Sequence, residues 1–186
     1  LAAGPAICDV AALTNALSGG DVACVILFAG SGEHSDFPSY CDIAVPVIQA
    51  AGAAALVADD TQVMGRSGAD GLYVTHNQQD VAALIARFSP QKIVGCGGMM
   101  DRDAALRAGE NYPDFVLFGK PGREIKPDPH PKNLKIAQWW AEFVEVPGVL
   151  PGGNDVESVK VVAETGIDFV LLASAVFASQ VAPSNG

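Results

Sequence analysis

The sequence predicts an α/β fold, a small (β/α)8 barrel of TIM type whose amino-terminal strand is short or missing. Three observations carry that reading. Short apolar runs alternate with amphipathic stretches along the whole chain, as in a parallel sheet wound with helices on its outer side. Asp21, Asp70, Asp114 and Asp168 each open an apolar strand, at intervals of about 50 residues, and each interval holds one further strand and two helices. Four such repeats make eight strands. An open flavodoxin-like sheet needs only about five strands and does not call for this spacing. Finally, 186 residues fall short of the ~200–250 usual for such barrels, which suggests trimmed ends. The opening Leu1-Ala2-Ala3-Gly4-Pro5 fits a first strand cut short. One domain, 1–186, is expected.

The elements follow in order. Asp9 to Leu17 has helical spacing, with Asp9 as N-cap and Gly19-Gly20 as the stop. Asp21 to Phe28 is a buried strand, Gly30 to Pro38 a polar connection, and Ser39 to Ala51 a helix ending near Gly52. Ala54 to Ala58 is a strand, after which Asp59-Asp60 can cap a helix over Thr61 to Arg66. Gly71 to Thr75 is a strand, Gln78 to Phe88 a helix, Lys92 to Cys96 a strand, Asp101 to Ala108 a helix, and Asp114 to Gly119 a strand. Lys120 to Asn133, with four prolines and no apolar run, is too long for an ordinary βα connection and is expected to be a mobile segment over the barrel mouth. Leu134 to Val144 is a helix carrying Trp139-Trp140. Adjacent helix positions face different ways, so at most one of the two tryptophans can be core. The other covers a neighbouring element or a second copy of the chain in a homo-oligomer.

The last stretch is the most legible. Val146 to Pro151 breaks at Gly152-Gly153, Asn154 offers a capping oxygen, and Glu157 lies three residues on, as in a capping box. Val156, Val159 and Ala163 have helical spacing, Gly166 sits where a left-handed residue belongs, and Phe169 to Ala173 is a continuous apolar strand leading to Ser174. Two adjacent turns thus fall at the carboxyl ends of the last two strands, where such barrels present backbone N–H groups to a phosphate. The competing reading is that the glycines only close a tight turn.

Composition narrows the function. The net charge of −10, from 11 basic and 21 acidic residues without a basic cluster, argues against nucleic acid or an anionic membrane as partner. No run reaches the roughly 18 apolar residues of a membrane span, and no charged-then-apolar leader opens the chain. Cys8, Cys24, Cys41 and Cys96 lack C-x-x-C spacing and read as reduced, mostly buried thiols in a cytoplasmic protein.

The candidate chemical groups are few. Asp59 is the candidate metal ligand, against the reading of Asp59-Asp60 as helix-capping acids. His76 follows a strand and is a candidate general base, against a solvated loop histidine. Lys120, just beyond Gly119, is the candidate phosphate or carboxylate contact, against a surface lysine. Tyr73 reads as packing and His130 as a loop residue. No nucleophile–base arrangement stands out at interpretable spacing.

With Gly68-Ala69-Asp70-Gly71, Ile93-Val94-Gly95, Asp114 to Gly119, Val146-Pro147 through Gly152-Gly153, and Gly166-Ile167-Asp168 through Val176 in this order, the chain from Asp9 onward resembles the thiamine phosphate synthase and thiazole tautomerase family. The resemblance implies a barrel that joins hydroxymethylpyrimidine diphosphate to thiazole phosphate with release of pyrophosphate, using Mg²⁺. It implies that Gly152, Gly153, Ala173 and Ser174 hold the thiazole phosphate. Several family positions differ here. Ile26 to Gly30 replaces a Gln-x-Arg-x-Lys segment, Ala58-Asp59 replaces Asn-Asp, and Tyr73 to Gln78 stands for His-x-Gly-Gln with a magnesium aspartate aligned at Gln78. Gly95-Cys96-Gly97 replaces Gly-x-Ser, and only Lys120, Arg123 and Lys126 lie near the family's threonine-lysine pair. Two outcomes remain open at this point. One is a working transferase or tautomerase-like enzyme; the other is a diverged relative that binds a phosphorylated ligand as sensor, carrier or partner.

Overall fold

A computed structural model describes residues 1–30, 36–75, 78–99, 101–121 and 126–177. Eight parallel strands run in sequence order, β1 (Ala2–Ala3), β2 (Cys24–Leu27), β3 (Ala54–Ala58), β4 (Gly71–Val74), β5 (Ile93–Met99), β6 (Phe115–Phe118), β7 (Gly148–Pro151) and β8 (Phe169–Leu171). The Ala2 N–H donates to the Leu172 carbonyl at 2.9 Å, which brings the last strand round to the first. The expected (β/α)8 barrel is therefore present, and its first strand is short.

The helices α1 (Val10–Ser18), α2 (Phe37–Ala50), α3 (Thr61–Ser67), α4 (Gln78–Phe88), α5 (Arg102–Gly109), α6 (Pro131–Phe143), α7 (Ser158–Ala163) and α8 (Ser174–Phe177) fill the connections. Their starts follow local chemistry. Asp9 caps α1 by accepting from the Ala12 N–H, Asp60 caps α3 by accepting from Gln62 and Val63, and Asp101 caps α5 by accepting from Ala104. The helix α6 starts three residues earlier than its apolar spacing suggested. His130 Nδ1 accepts from the Lys132 N–H, and Pro131 supplies a pre-set first-turn φ.

One expected cap is replaced. Asn154 does not cap α7, which begins only at Ser158. The cause is the buried Ser158 hydroxyl, which accepts from the Gly153 N–H at 2.8 Å and donates to the Asp155 carbonyl at 2.6 Å. That pair of bonds winds residues 153–158 into a tight turn that the helix cannot absorb. Glu157 pairs forward with Lys160 instead of reaching back.

Burial divides into two layers. Outer faces of the strands pack on the helices, with Val25, Leu27, Val57, Leu72, Val94 and Val116 fully or almost fully buried. Inside the barrel, Ala2, Ile26, Leu56, Ala58, Tyr73, Leu117, Val149 and Leu171 form a separate apolar cluster. In β5, Gly95 and Gly97 leave room for the Phe115 and Tyr73 rings, which a side chain at either position would strike within 2.1 and 1.9 Å. Trp140 is completely buried against Phe118, while Trp139 is half-buried under Arg102, so one tryptophan is core and the other lies near the surface.

Three of the four repeated aspartates share a role. Asp70 Oδ2 accepts from Ala55 at 2.8 Å, Asp114 Oδ2 from Val94 at 2.7 Å, and Asp168 Oδ2 from Gly148 at 2.7 Å. Each carboxylate leads into β4, β6 or β8 and ties down the start of the strand before it.

Candidate active site at the carboxyl-terminal mouth

The carboxyl ends of the strands form one rim. After β7 the chain passes through Gly152 and Gly153, and after β8 through Ala173 and Ser174. The Gly152 N–H donates to the Leu171 carbonyl at 2.9 Å, so the two turns lie side by side. Gly152, Gly153 and Ala173 are buried and Ser174 is half-buried.

The segment after β6 rests on the first of these turns. The Asn154 N–H donates to the Lys126 carbonyl at 2.8 Å. A side chain added at Gly153 would come within 1.7 Å of the Pro127 carbonyl, a contact that only glycine permits. Residues 126–128 thus pack on the turn after β7, with Lys126 exposed and Pro129 buried, where a mobile segment with nothing to pack against was expected. Lys120 is exposed directly after Gly119. Arg123 falls outside the described residues, and so does His76.

The donors are not vacant. The Gly153 N–H was expected to be unpaired, yet Ser158 Oγ holds it. A phosphate on this turn would take over a bond that the protein now makes to itself. Neither Ser158 nor Lys126 stood out in the sequence as part of this turn, since no local signal ties residue 126 to residue 154 or marks a hydroxyl five positions after a glycine.

Asp59 lies at the end of β3, across the barrel from β7. Its φ is +58°, a left-handed conformation that aspartate tolerates better than most residues. Its carboxylate accepts from the Thr75 N–H at 2.7 Å and from the Thr75 hydroxyl, joining the ends of β3 and β4. Asp60 is committed to α3. Among the described residues no group of three His, Cys, Asp or Glu side chains could hold a metal ion. Magnesium needs near-octahedral oxygen ligands, and one carboxylate already bonded through both oxygens does not make a protein-built site for it.

Thiol chemistry is also unfavourable. Burial pushes the Cys96 thiol, near the mouth end of β5, up to about 12, and the Cys24 thiol up to about 11. A protonated buried thiol is a poor nucleophile. All four cysteines are free. A cavity of about 1020 Å³ does open at the amino-terminal ends of the strands, where Cys24, Leu56, Phe115 and Phe169 line it. Asp114 and Asp168 there are bonded to backbone, and the cavity offers neither of the glycine turns. No helix among the described residues is long and apolar enough to cross a membrane.

Known proteins agree with this architecture. A thiamine-phosphate synthase from Rhodospirillum centenum is 32% identical over 178 residues, covering 92% of this chain and 84% of that protein. One from Hyphomonas neptunium is 29% identical over 189 residues, covering 97% and 86%. Among solved structures, a thiamine phosphate pyrophosphorylase from Pyrococcus furiosus superposes with a TM-score of 0.73 at 19% identity, over 94% of this chain and 84% of that one. An aldolase, QR15, superposes at 0.65 with 13% identity, over 95% and 90%. These two speak for the fold alone. Residues 3–176 match the family model described as thiamine monophosphate synthase, and with that match over nearly the whole chain, the protein belongs to the thiamine phosphate synthase family.

Proposed function

We propose that the carboxyl-terminal mouth joins hydroxymethylpyrimidine diphosphate to thiazole phosphate, releasing pyrophosphate, at a rate well below that of an ordinary family member. The observation that carries this reading is the pair of turns after β7 and β8, held side by side by the Gly152–Leu171 bond with the Lys126 segment resting on the first. Backbone donors at Gly153 and Ser174 would receive the thiazole phosphate. Gly152 and Ala173 keep the floor of that cradle free of bulk. Lys120 would neutralise charge on the departing diphosphate, and Lys126, exposed on the segment that rests on Gly153, is a second candidate for that charge. His76 is the proposed proton carrier.

The reduced rate follows from what the mouth lacks. A leaving diphosphate needs its developing charge neutralised. The chain after β2 instead reads Phe28-Ala29-Gly30. Each missing charge-stabilising contact typically costs about 10²-fold or more. The assay is direct. Purified protein is incubated with both substrates, with and without Mg²⁺, and thiamine phosphate is measured. Slow, Mg²⁺-dependent turnover supports the reading. Turnover in the family's ordinary range refutes the claim of a weakened mouth. No turnover and no thiazole phosphate binding refutes the assignment of the site.

A further inference from the structure

The barrel interior contains one polar side chain that its apolar surroundings do not explain. Tyr73 is 1% exposed and belongs to the cluster of Ile26, Leu56, Leu117 and Val149 inside the barrel. Its ring is held on two sides. Phe28 meets it edge-on at 5.6 Å, and Phe115 stacks on it at 6.2 Å with an interplanar angle of 5°. Those contacts would serve a phenylalanine equally well.

The hydroxyl has a definite place. Sheet register pairs Tyr73 with Gly95, but Oη lies against Gly97, where an added side chain would come within 1.9 Å of it. Gly97 is two residues further along β5, so the side chain leans toward the carboxyl-terminal mouth. Burial raises the phenol's pKa well above its ordinary value, and Cys96 and Asp59 add to the rise. Among the described residues no hydrogen bond reaches Oη, yet no fully buried polar side-chain atom there lacks a partner. The small surface that Tyr73 exposes is therefore its hydroxyl. A hydroxyl exposed at the edge of an apolar interior has no protein partner among the described residues to satisfy it, and a ligand entering from the mouth would supply one.

The geometry points to the Tyr73 hydroxyl as a contact for the nitrogen heteroaromatic ring of the diphosphate substrate, hydrogen-bonding a ring or amino nitrogen at the floor of the mouth. This inference rests on the proposed condensation. Topology selects the ring: β4 lies across the barrel from β8, so a thiazole whose phosphate occupies the β7 and β8 turns leaves the β4 side to the pyrimidine. Phe28, half-buried beside Tyr73, offers this partner an aromatic face, and the hydroxyl fixes its orientation.

Calorimetric titration of the wild-type protein and Tyr73→Phe tests this, with hydroxymethylpyrimidine diphosphate and inorganic pyrophosphate as separate ligands. Pyrophosphate has no ring and reports the diphosphate end of the site alone. The expected result is equal pyrophosphate affinity for the two proteins and roughly tenfold weaker binding of the pyrimidine diphosphate by Tyr73→Phe, with an unchanged or higher Tm. Equal pyrimidine diphosphate affinity for the two proteins overturns the inference, and does so alone if pyrophosphate still binds. A lower Tm for Tyr73→Phe with unchanged affinity marks the hydroxyl as structural and overturns it too. If neither ligand binds the wild-type protein, the inference fails together with the proposed function.

Discussion

The two ends of the barrel use the same chemistry to different ends. At the amino-terminal end one device is repeated: Asp70, Asp114 and Asp168 each accept a backbone N–H from the start of the preceding strand, all within 2.7–2.8 Å. At the carboxyl-terminal end Asp9, Asp60 and Asp101 repeat a helix cap, while Asp59 on Thr75 and Ser158 on Gly153 are bonds made in their own way. The repeated device fixes strand positions. The bonds of Asp59 and Ser158 instead tie residues at the mouth, where barrels of this kind carry their active sites.

Mutations at the two ends should separate these roles. The largest effect is expected for Lys120→Ala, about a 10²-fold loss of turnover with an unchanged Tm in the thiamine phosphate assay. If Lys126→Ala shows the loss instead, the role passes to the segment lying on Gly153. Next, Asp114→Ala leaves the Val94 N–H without its acceptor and should lower stability by about 1–3 kcal/mol in urea denaturation, without changing phosphate affinity. A change in affinity there would break the comparison. Ser158→Ala should cost about 1 kcal/mol, but it also frees the Gly153 donor. Phosphate binding measured by titration should then become tighter, and weaker binding would show that Ser158 supports the anion rather than competing with it. The smallest effect concerns pH. The Cys24 and Cys96 thiols have raised values in the folded protein, so their contribution to stability is complete below about pH 9 and is lost as pH rises toward 11–12. The urea midpoint should fall over that window, and Cys96→Ala should flatten the fall.

The sequence was most readable where contacts are local. Asp9 and Asp60 cap the helices that follow them, and apolar runs mark nearly every strand, because a carboxylate reaches its own first turn and a strand buried on both faces must be apolar. The aspartate repeat was visible as spacing. Its meaning was not, since Asp114 acts on Val94 in the strand before it. The same distance in sequence hid the mouth. Asn154 and Glu157 have the form of a capping box, but a buried serine hydroxyl and the Lys126 carbonyl take over the local backbone groups. Tyr73 read as packing, and its ring does pack. Only the lean of the side chain toward Gly97 reveals a second use for its hydroxyl.

The bond between the first strand and the residue after the last has a consequence for motion. The Ala2–Leu172 bond is the described backbone link that closes the sheet, whereas β2 and β3 share a four-residue register. This bond ties the last strand to the first. Leu172 immediately precedes Ala173 and Ser174. An anion gripped at that turn would hold the last strand against the first, so the amide protons of Ala2 and of residues 171–174 should exchange more slowly with bound phosphate, while those of β3 and β4 keep their rates. The phosphate would then act as a clasp on the cylinder as well as a substrate handle.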